Sequence, residues 1–195
     1  VVVGGLISGF DSDDDNAFDT TLDGLLEAGM LSGDPSLLTA LPGTPLYRRM
    51  RAAGRLRDVR YGLGGFKYQT NIRYLMPKER LVSGYKYFVE KFTDGEKQYT
   101  RLKAFLDNLE RGNFVPIEAS GYGDIRLFAK MVFRNPAALR QMTQRLLRFG
   151  RRPRNVYWAL RGLLLALSRT NIRGRMSYFQ FWLFAWTNSV LKYLD

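Results

Sequence analysis

Two apolar strands separated by one amphipathic helix open this chain, and that order leaves few folds available. Residues 1–8 form a continuous apolar run, Val1-Val2-Val3-Gly4-Gly5-Leu6-Ile7-Ser8, closed by Gly9. Such a run, without alternation, predicts a buried parallel strand. Phe18, Leu22, Leu25 and Leu26 then recur at helical spacing on one face. Asp11, Ser12 and Asp13 offer side-chain oxygens to cap that helix, and acids favour its positive end. Gly29 suits the residue just past its C-terminus. A second strand follows over residues 37–41. Gly33-Asp34-Pro35 delays its start to Ser36 or Leu37, because proline cannot donate to a ladder. Strand, helix and strand in this order predict a parallel pair with a right-handed crossover. Two strands alone make a marginal sheet. The chain is therefore expected to be part of a larger sheet, with the remainder of the same polypeptide upstream of Val1.

The sequence after residue 44 turns helical. Thr44-Pro45 reads as a cap followed by proline at the first helical position, opening a short helix that stops at Gly54. Residues 58–74 are rich in Gly and Tyr and read as loop. Pro77 opens a helix with Leu81, Tyr85, Phe88 and Phe92 on one face, and the next carries Tyr99, Leu102, Phe105, Leu106 and Leu109. Residues 112–123 form a connector, and helix is expected from Asp124 onward. Asn135-Pro136 caps an amphipathic helix with Leu139, Met142, Leu146 and Phe149, ending at Gly150. After the basic break Arg151-Arg152-Pro153-Arg154, helices are expected over residues 156–168 and 177–194. The fold class is thus α/β leading into mainly α. It divides into a sheet-bearing part (1–57), a linker with two helices (58–115) and a basic, aromatic-rich helical tail (116–195).

Charge separates along the chain. Residues 1–46 hold eight acids (Asp11, Asp13, Asp14, Asp15, Asp19, Asp23, Glu27, Asp34) and no Lys or Arg. The remainder holds all 30 bases and 18 − 8 = 10 acids, so −8 and +20 sum to the net +12. A tail of this kind suits an anionic surface or acidic parts of the same protein. The chain contains neither Cys nor His. Disulfides and thiol-ligated metals are excluded, which fits a reducing, cytoplasmic compartment.

Two blocks, "GGLISGFDSDD" and "LLTALPGTPLY", resemble the late βα units of the radical S-adenosylmethionine (SAM) barrel. More narrowly, they resemble the bacterial group that carries an upstream cobalamin-binding domain. A later block is similar to the segment that follows the barrel in that group: Thr70-Asn71-Ile72-Arg73, Met76-Pro77-Lys78-Glu79, Leu81 and Gly84-Tyr85-Lys86. The likeness covers residues 1–110 and becomes loose beyond 115. It implies a partial parallel (β/α) barrel followed by a helical C-terminal domain. It also implies that Gly5, Ile7, Ser8, Gly9, Phe10 and Asp11, with Leu41, Pro42, Gly43 and Thr44, border the adenosine of SAM. Asp11 would contact SAM or support the site. The family's activity is reductive cleavage of SAM by a [4Fe–4S] cluster, followed here by methyl transfer through cobalamin or another radical modification of an unreactive carbon. The substrate would be a small or lipid-like molecule. The family's CxxxCxxC loop has no counterpart in this chain, so the cluster site would lie upstream and the chain alone would be inactive.

Other chemistry is weakly signalled. The run Asp11 to Asp15 could bind a divalent cation, but it lacks the spaced ligands of a calcium loop and suits helix capping better. Without Cys or His the usual nucleophile–base pairs cannot be built. The terminal helix, with Tyr178, Phe179, Phe181, Trp182, Phe184 and Trp186, suits core packing or an anionic membrane interface. Its uncharged run, residues 176–191, is shorter than the about 20 residues a bilayer requires. Nucleic acid is disfavoured, since no recognised nucleic-acid motif is present and the aromatics fall on apolar faces. The competing class is a non-enzymatic basic helical module that binds a membrane surface or a partner protein.

Overall fold

The computed structural model describes residues 3–14, 16–57, 70–113, 130 and 134–193. Among them the chain runs β1 (Val3–Ser8), α1 (Ala17–Glu27), β2 (Ser32–Leu37), α2 (Pro45–Ala52), α3 (Lys78–Thr93), α4 (Gly95–Glu110), α5 (Pro136–Gly150), α6 (Pro153–Ser168) and α7 (Arg175–Tyr193). This is a mostly helical protein with one two-stranded sheet. Most of the expected connector at 112–123, and the start of helix expected at Asp124, lie outside the described residues, as does most of the loop at 58–74.

Contacts divide the chain into two compact units. One comprises Gly4–Asp23 and Gly33–Lys91; the other comprises Val1–Val3, Gly24–Ser32 and Phe92–Asp195.

In the first unit, Leu38 N–H donates to Ser8 O at 2.8 Å, and a Cβ placed on Gly33 would lie 2.7 Å from Leu6 and 3.5 Å from Gly4 O. Residues 4 to 8 therefore run alongside 33 to 38 in the same sense, the parallel pair expected of a strand–helix–strand unit. Three details differ from the sequence reading. First, β2 begins at Ser32 and ends at Leu37, so Pro35 lies inside it and residues 38–41 lie beyond it. With one neighbouring strand among the described residues, β2 has N–H groups its ladder does not need, and Pro35 occupies such a position. Its carbonyl accepts from the Tyr85 hydroxyl at 2.9 Å. Second, β1 is not buried on both faces. Ser8 is buried while Ile7 is 49% exposed and Gly5 is exposed, so one face of the strand is open. Third, neither Asp11 nor Asp13 caps α1, which begins only at Ala17. The Asp13 carboxylate instead turns back to accept from the Gly9 and Phe10 N–H groups at 2.7 and 3.0 Å.

The end of α1 was legible. Gly29 has φ +59; its N–H donates to Leu26 O and that of Met30 to Leu25 O, closing the helix with two bonds to its last carbonyls. α2 is capped as expected, with Thr44 Oγ1 accepting from Tyr47 N–H at 3.2 Å and Pro45 at the first position. On α3, Leu81, Tyr85 and Phe88 are all buried, and Phe88 meets Phe18 at a centroid distance of 6.0 Å.

The second unit is a helical core in which Leu102, Leu106, Phe149, Ala166, Phe179, Trp182, Trp186 and Val190 pack together. Trp182 and Trp186 are fully buried, and their indole N–H groups donate to Gln98 O and Thr93 O at 3.0 and 2.8 Å. One face of the aromatic terminal helix is thus core, with Trp182 and Trp186 enclosed in it, while Phe184 is 48% exposed. Among the described residues no helix is long and apolar enough to cross a membrane. Gly162 on α6 lets Trp182 approach, since a Cβ there would lie 2.7 Å from the indole ring. α6 begins at Pro153 rather than at residue 156, because proline is at home in the first helical turn. The apolar stripe expected on α5 is only partly used. Phe149 is buried, while Leu139, Met142 and Leu146 remain exposed.

Candidate functional site

Because β1 and β2 are parallel, their C-terminal ends lie at one edge of the sheet. That edge carries every candidate residue singled out from the sequence except Gly5 and Ile7, which sit within β1. The structure brings the loop 9–13 and the segment 38–44 out from adjacent strands through the Leu38–Ser8 hydrogen bond.

The first loop is tied down by acids. Asp13 closes it from within, as above. Asp11 forms a two-point ion pair with Arg55, at 2.7 and 2.6 Å, and Arg55 Nε donates to Arg73 O at 2.8 Å. The Arg55 hydrogen bonds hold the Asp11 carboxyl below its ordinary range, and the pairing raises the guanidinium in turn. Asp11 is therefore committed to Arg55 and supports the loop. Arg55 gave no signal in the sequence, because its partner lies 44 positions away.

The second segment is braced by residues 70–74. Asn71 spans Ala40, its Oδ1 accepting from Ala40 N–H at 2.9 Å and its Nδ2 donating to Ala40 O at 2.7 Å. Leu38 O accepts from both Thr70 Oγ1 and the Tyr74 hydroxyl, each at 2.7 Å. Burial pushes the Tyr74 phenol up to about 12. Ala40, Met50 and Ile72 form a small core beneath this segment, with Tyr74 packed against it. The block Thr70-Asn71-Ile72-Arg73 was singled out by resemblance; its bracing role was not legible, since hydrogen bonds across more than 30 positions leave no local pattern.

The two loop glycines differ. Gly9 has φ +100, and a Cβ on it would lie 2.7 Å from the Tyr74 ring. Its openness is spent on packing against Tyr74. Gly43 has φ +85 with nothing within 4 Å of its missing Cβ, so backbone there is open to close approach. Gly5 is open in the same way. Ile7, Phe10 and Leu41 are 49%, 45% and 44% exposed, and Pro42 is exposed beside Leu41. Ser8 is buried, and its carbonyl holds Leu38. Thr44 caps α2 and also donates to Leu41 O at 2.7 Å, closing the Pro42-Gly43 turn. The edge therefore presents apolar side chains and open backbone on a braced frame. It suits a flat, apolar ligand surface with hydrogen-bonding edges.

Metal ligation is another matter. The chain has no Cys or His, and among the described residues no group of three or more His, Cys, Asp or Glu side chains is placed to hold a metal ion. The residues present do not fit an iron–sulfur cluster, which needs thiolate or imidazole ligands.

One family model, that of a domain of unknown function designated DUF4070, matches residues 44–192. The match begins at Thr44, the cap of α2, so the other candidate residues precede it. No curated protein and no solved structure matches the chain.

Proposed function

The chain belongs to the DUF4070 family, and we propose that it is the C-terminal part of a radical SAM enzyme, of the kind that also carries a cobalamin-binding domain. In this reading β1, α1 and β2 are late units of a partial (β/α) barrel, and the DUF4070 segment is the helical domain that follows. The single observation that carries the proposal is the braced edge formed by the C-terminal ends of two parallel strands. Sites on barrels and open parallel sheets are built at that edge. The open face of β1, with Ile7 half exposed, is what a strand missing its covering layer presents.

SAM fits the residues at this edge. Leu41, Phe10 and Ile7 would supply an apolar surface for adenine, and the open backbone at Gly43 would admit close hydrogen bonding. Ser8, Asp11 and Thr44 would act through the frame: Ser8 by joining the strands, Asp11 through Arg55, Thr44 by closing the turn. Gly9 would hold its loop against Tyr74 and would not itself approach the ligand. The [4Fe–4S] cluster does not fit this chain, so no step is assigned to it here, and nothing in these residues bears on cobalamin. The chain's contribution is to bind and orient the nucleoside and to wall the substrate, a small or lipid-like molecule.

Equilibrium SAM binding by the whole polypeptide tests this. Leu41→Asp and Phe10→Asp alter exposed side chains and leave the frame intact. Each is expected to weaken SAM about tenfold or more, since a charge would face an apolar ring. Unchanged affinity in both variants would remove this edge from the pocket.

A further inference from the structure

We infer that Arg55 and Asn71 are positioning residues for the nucleoside: they join the two loops of the strand edge through one clasp, and so set SAM affinity without touching SAM. This role rests on the SAM reading above and adds to it a task for the family-matched segment.

The clasp is built from residues 55–57 and 71–73. Leu56 and Ile72 pair as an antiparallel bridge. Arg57 N–H donates to Asn71 O and Arg73 N–H to Arg55 O, each at 2.8 Å. Ile72 is buried with Ala40 and Met50, and Leu56 packs against that small core, so the bridge is anchored. Two arms reach the edge from it. Arg55 grips Asp11, in the loop after β1, at two points, while its Nε donates to Arg73 O across the bridge. Asn71, on the opposite stretch, holds both the N–H and the carbonyl of Ala40, in the segment after β2. Each arm thus ends on one loop and starts from a backbone shared with the other. Tyr74 adds a third tie, its ring against Gly9 and its hydroxyl on Leu38 O.

Position along the chain gives the clasp its meaning. The loops 9–13 and 38–43 precede the family-matched segment, and the clasp lies inside it. The Asp11 and Arg55 side chains are 38% and 17% exposed. Pairs this exposed contribute little to global stability, but a two-point guanidinium–carboxylate pair fixes geometry. What it fixes here is the loop that carries Phe10. Loops held before SAM arrives need no ordering on binding, and that saving appears as affinity.

Hydrogen exchange on the whole polypeptide, read on peptides covering residues 8–14 and 38–44, tests the coupling without ligand. Arg55→Met keeps the stem and removes the donors. It is expected to quicken exchange at least about threefold in both peptides, although its grip ends on Asp11. Asn71→Ala is expected to do the same, its remote effect falling on 8–14. Equilibrium binding supplies the second readout. Each variant is expected to weaken SAM about fivefold, and the double variant by clearly less than the product of about 25-fold. Asp11→Asn is expected to match Arg55→Met and to add little to it. Arg55→Lys, lacking the planar fork, is expected to restore only part of the affinity. Thermal melts check that the variants fold; should Asn71→Ala fail, Arg55→Met and Asp11→Asn carry the test. Exchange quickened only in the loop nearest each substitution would overturn the clasp. So would unchanged SAM affinity in Arg55→Met and Asn71→Ala while Leu41→Asp weakens it. Unchanged affinity in Leu41→Asp and Phe10→Asp as well would fault the SAM reading instead, and the exchange result then decides the clasp alone.

Discussion

Arg101 sits in the helical unit with no ion-pair partner among the described residues. It is 2% exposed, its guanidinium lies 4.3 Å from the centre of the Phe92 ring, and its Nη2 donates to Phe92 O at 2.5 Å. Its Nη1 and the buried Gln98 Oε1 have no hydrogen-bond partner among the described residues. Burial lowers the guanidinium to about 9. A buried charge so sparsely compensated costs stability, and replacing it with an apolar side chain of similar length is often neutral or favourable. Arg101→Met is therefore expected to leave stability unchanged or raise it by about 1–4 kcal/mol in urea denaturation. Destabilisation beyond about 2 kcal/mol would show that Arg101 is better satisfied than its contacts indicate. Tyr74 gives a pH signature of the opposite sign. Its folded phenol is raised to about 12 from an unfolded 10.0, so its contribution is complete below pH 10 and is lost as pH rises through 12. Tyr74→Phe also removes the 2.7 Å bond to Leu38 O. The variant is expected to lose less stability than the parent between pH 10 and 12, measured by thermal melts across that range. Identical slopes would place the Tyr74 hydroxyl in water.

At the scale of the element, local chemistry decided helix ends and tertiary contacts decided strands. Thr44-Pro45 and Asn135-Pro136 announce their helices because the capping oxygen and the proline act within three residues. Gly29 announces an end for the same reason, and it carries a second constraint: a Cβ there would lie 2.7 Å from Phe105 N. Gly29→Val is expected to destabilise by about 2 kcal/mol or more, combining a left-handed φ with that clash. A change under about 0.5 kcal/mol in chemical denaturation would deny the close approach. β2 was misjudged because Ser32-Gly33-Asp34-Pro35 has poor strand propensity; its position is set by Leu6 against Gly33 and by the Tyr85 hydroxyl on Pro35 O. Asp11 and Asp13 were misjudged as caps because Asp13 closes its own loop and Asp11 pairs with Arg55. The aromatic density of α7 left core packing and membrane contact both open, and could not say that both tryptophan N–H groups would find backbone carbonyls. Trp182→Ala is expected to cost about 3–5 kcal/mol, since it empties a fully buried site.

For the molecule as a whole, sequence reading located the edge that bears the candidate site but not what holds it. Gly43, Leu41 and Phe10 were singled out; Arg55, Asn71 and Tyr74, which brace them, came only with the structure. The separation of charge along the chain was plain from composition, whereas the clasp at residues 55–57 and 71–73 required the pairing of Leu56 with Ile72. Anaerobic treatment of this chain with iron and sulfide is expected to leave no stoichiometric cluster, because it offers no thiolate or imidazole. The central claim is that the braced strand edge belongs to a SAM-cleaving enzyme. The most direct measurement is of 5′-deoxyadenosine formed from SAM by the reduced, cluster-loaded polypeptide that contains this chain and the segment upstream of it. 5′-Deoxyadenosine is expected from the parent polypeptide, and at least about tenfold less from Leu41→Asp at sub-saturating SAM. Absence of 5′-deoxyadenosine from a cluster-loaded, reduced preparation would contradict the claim.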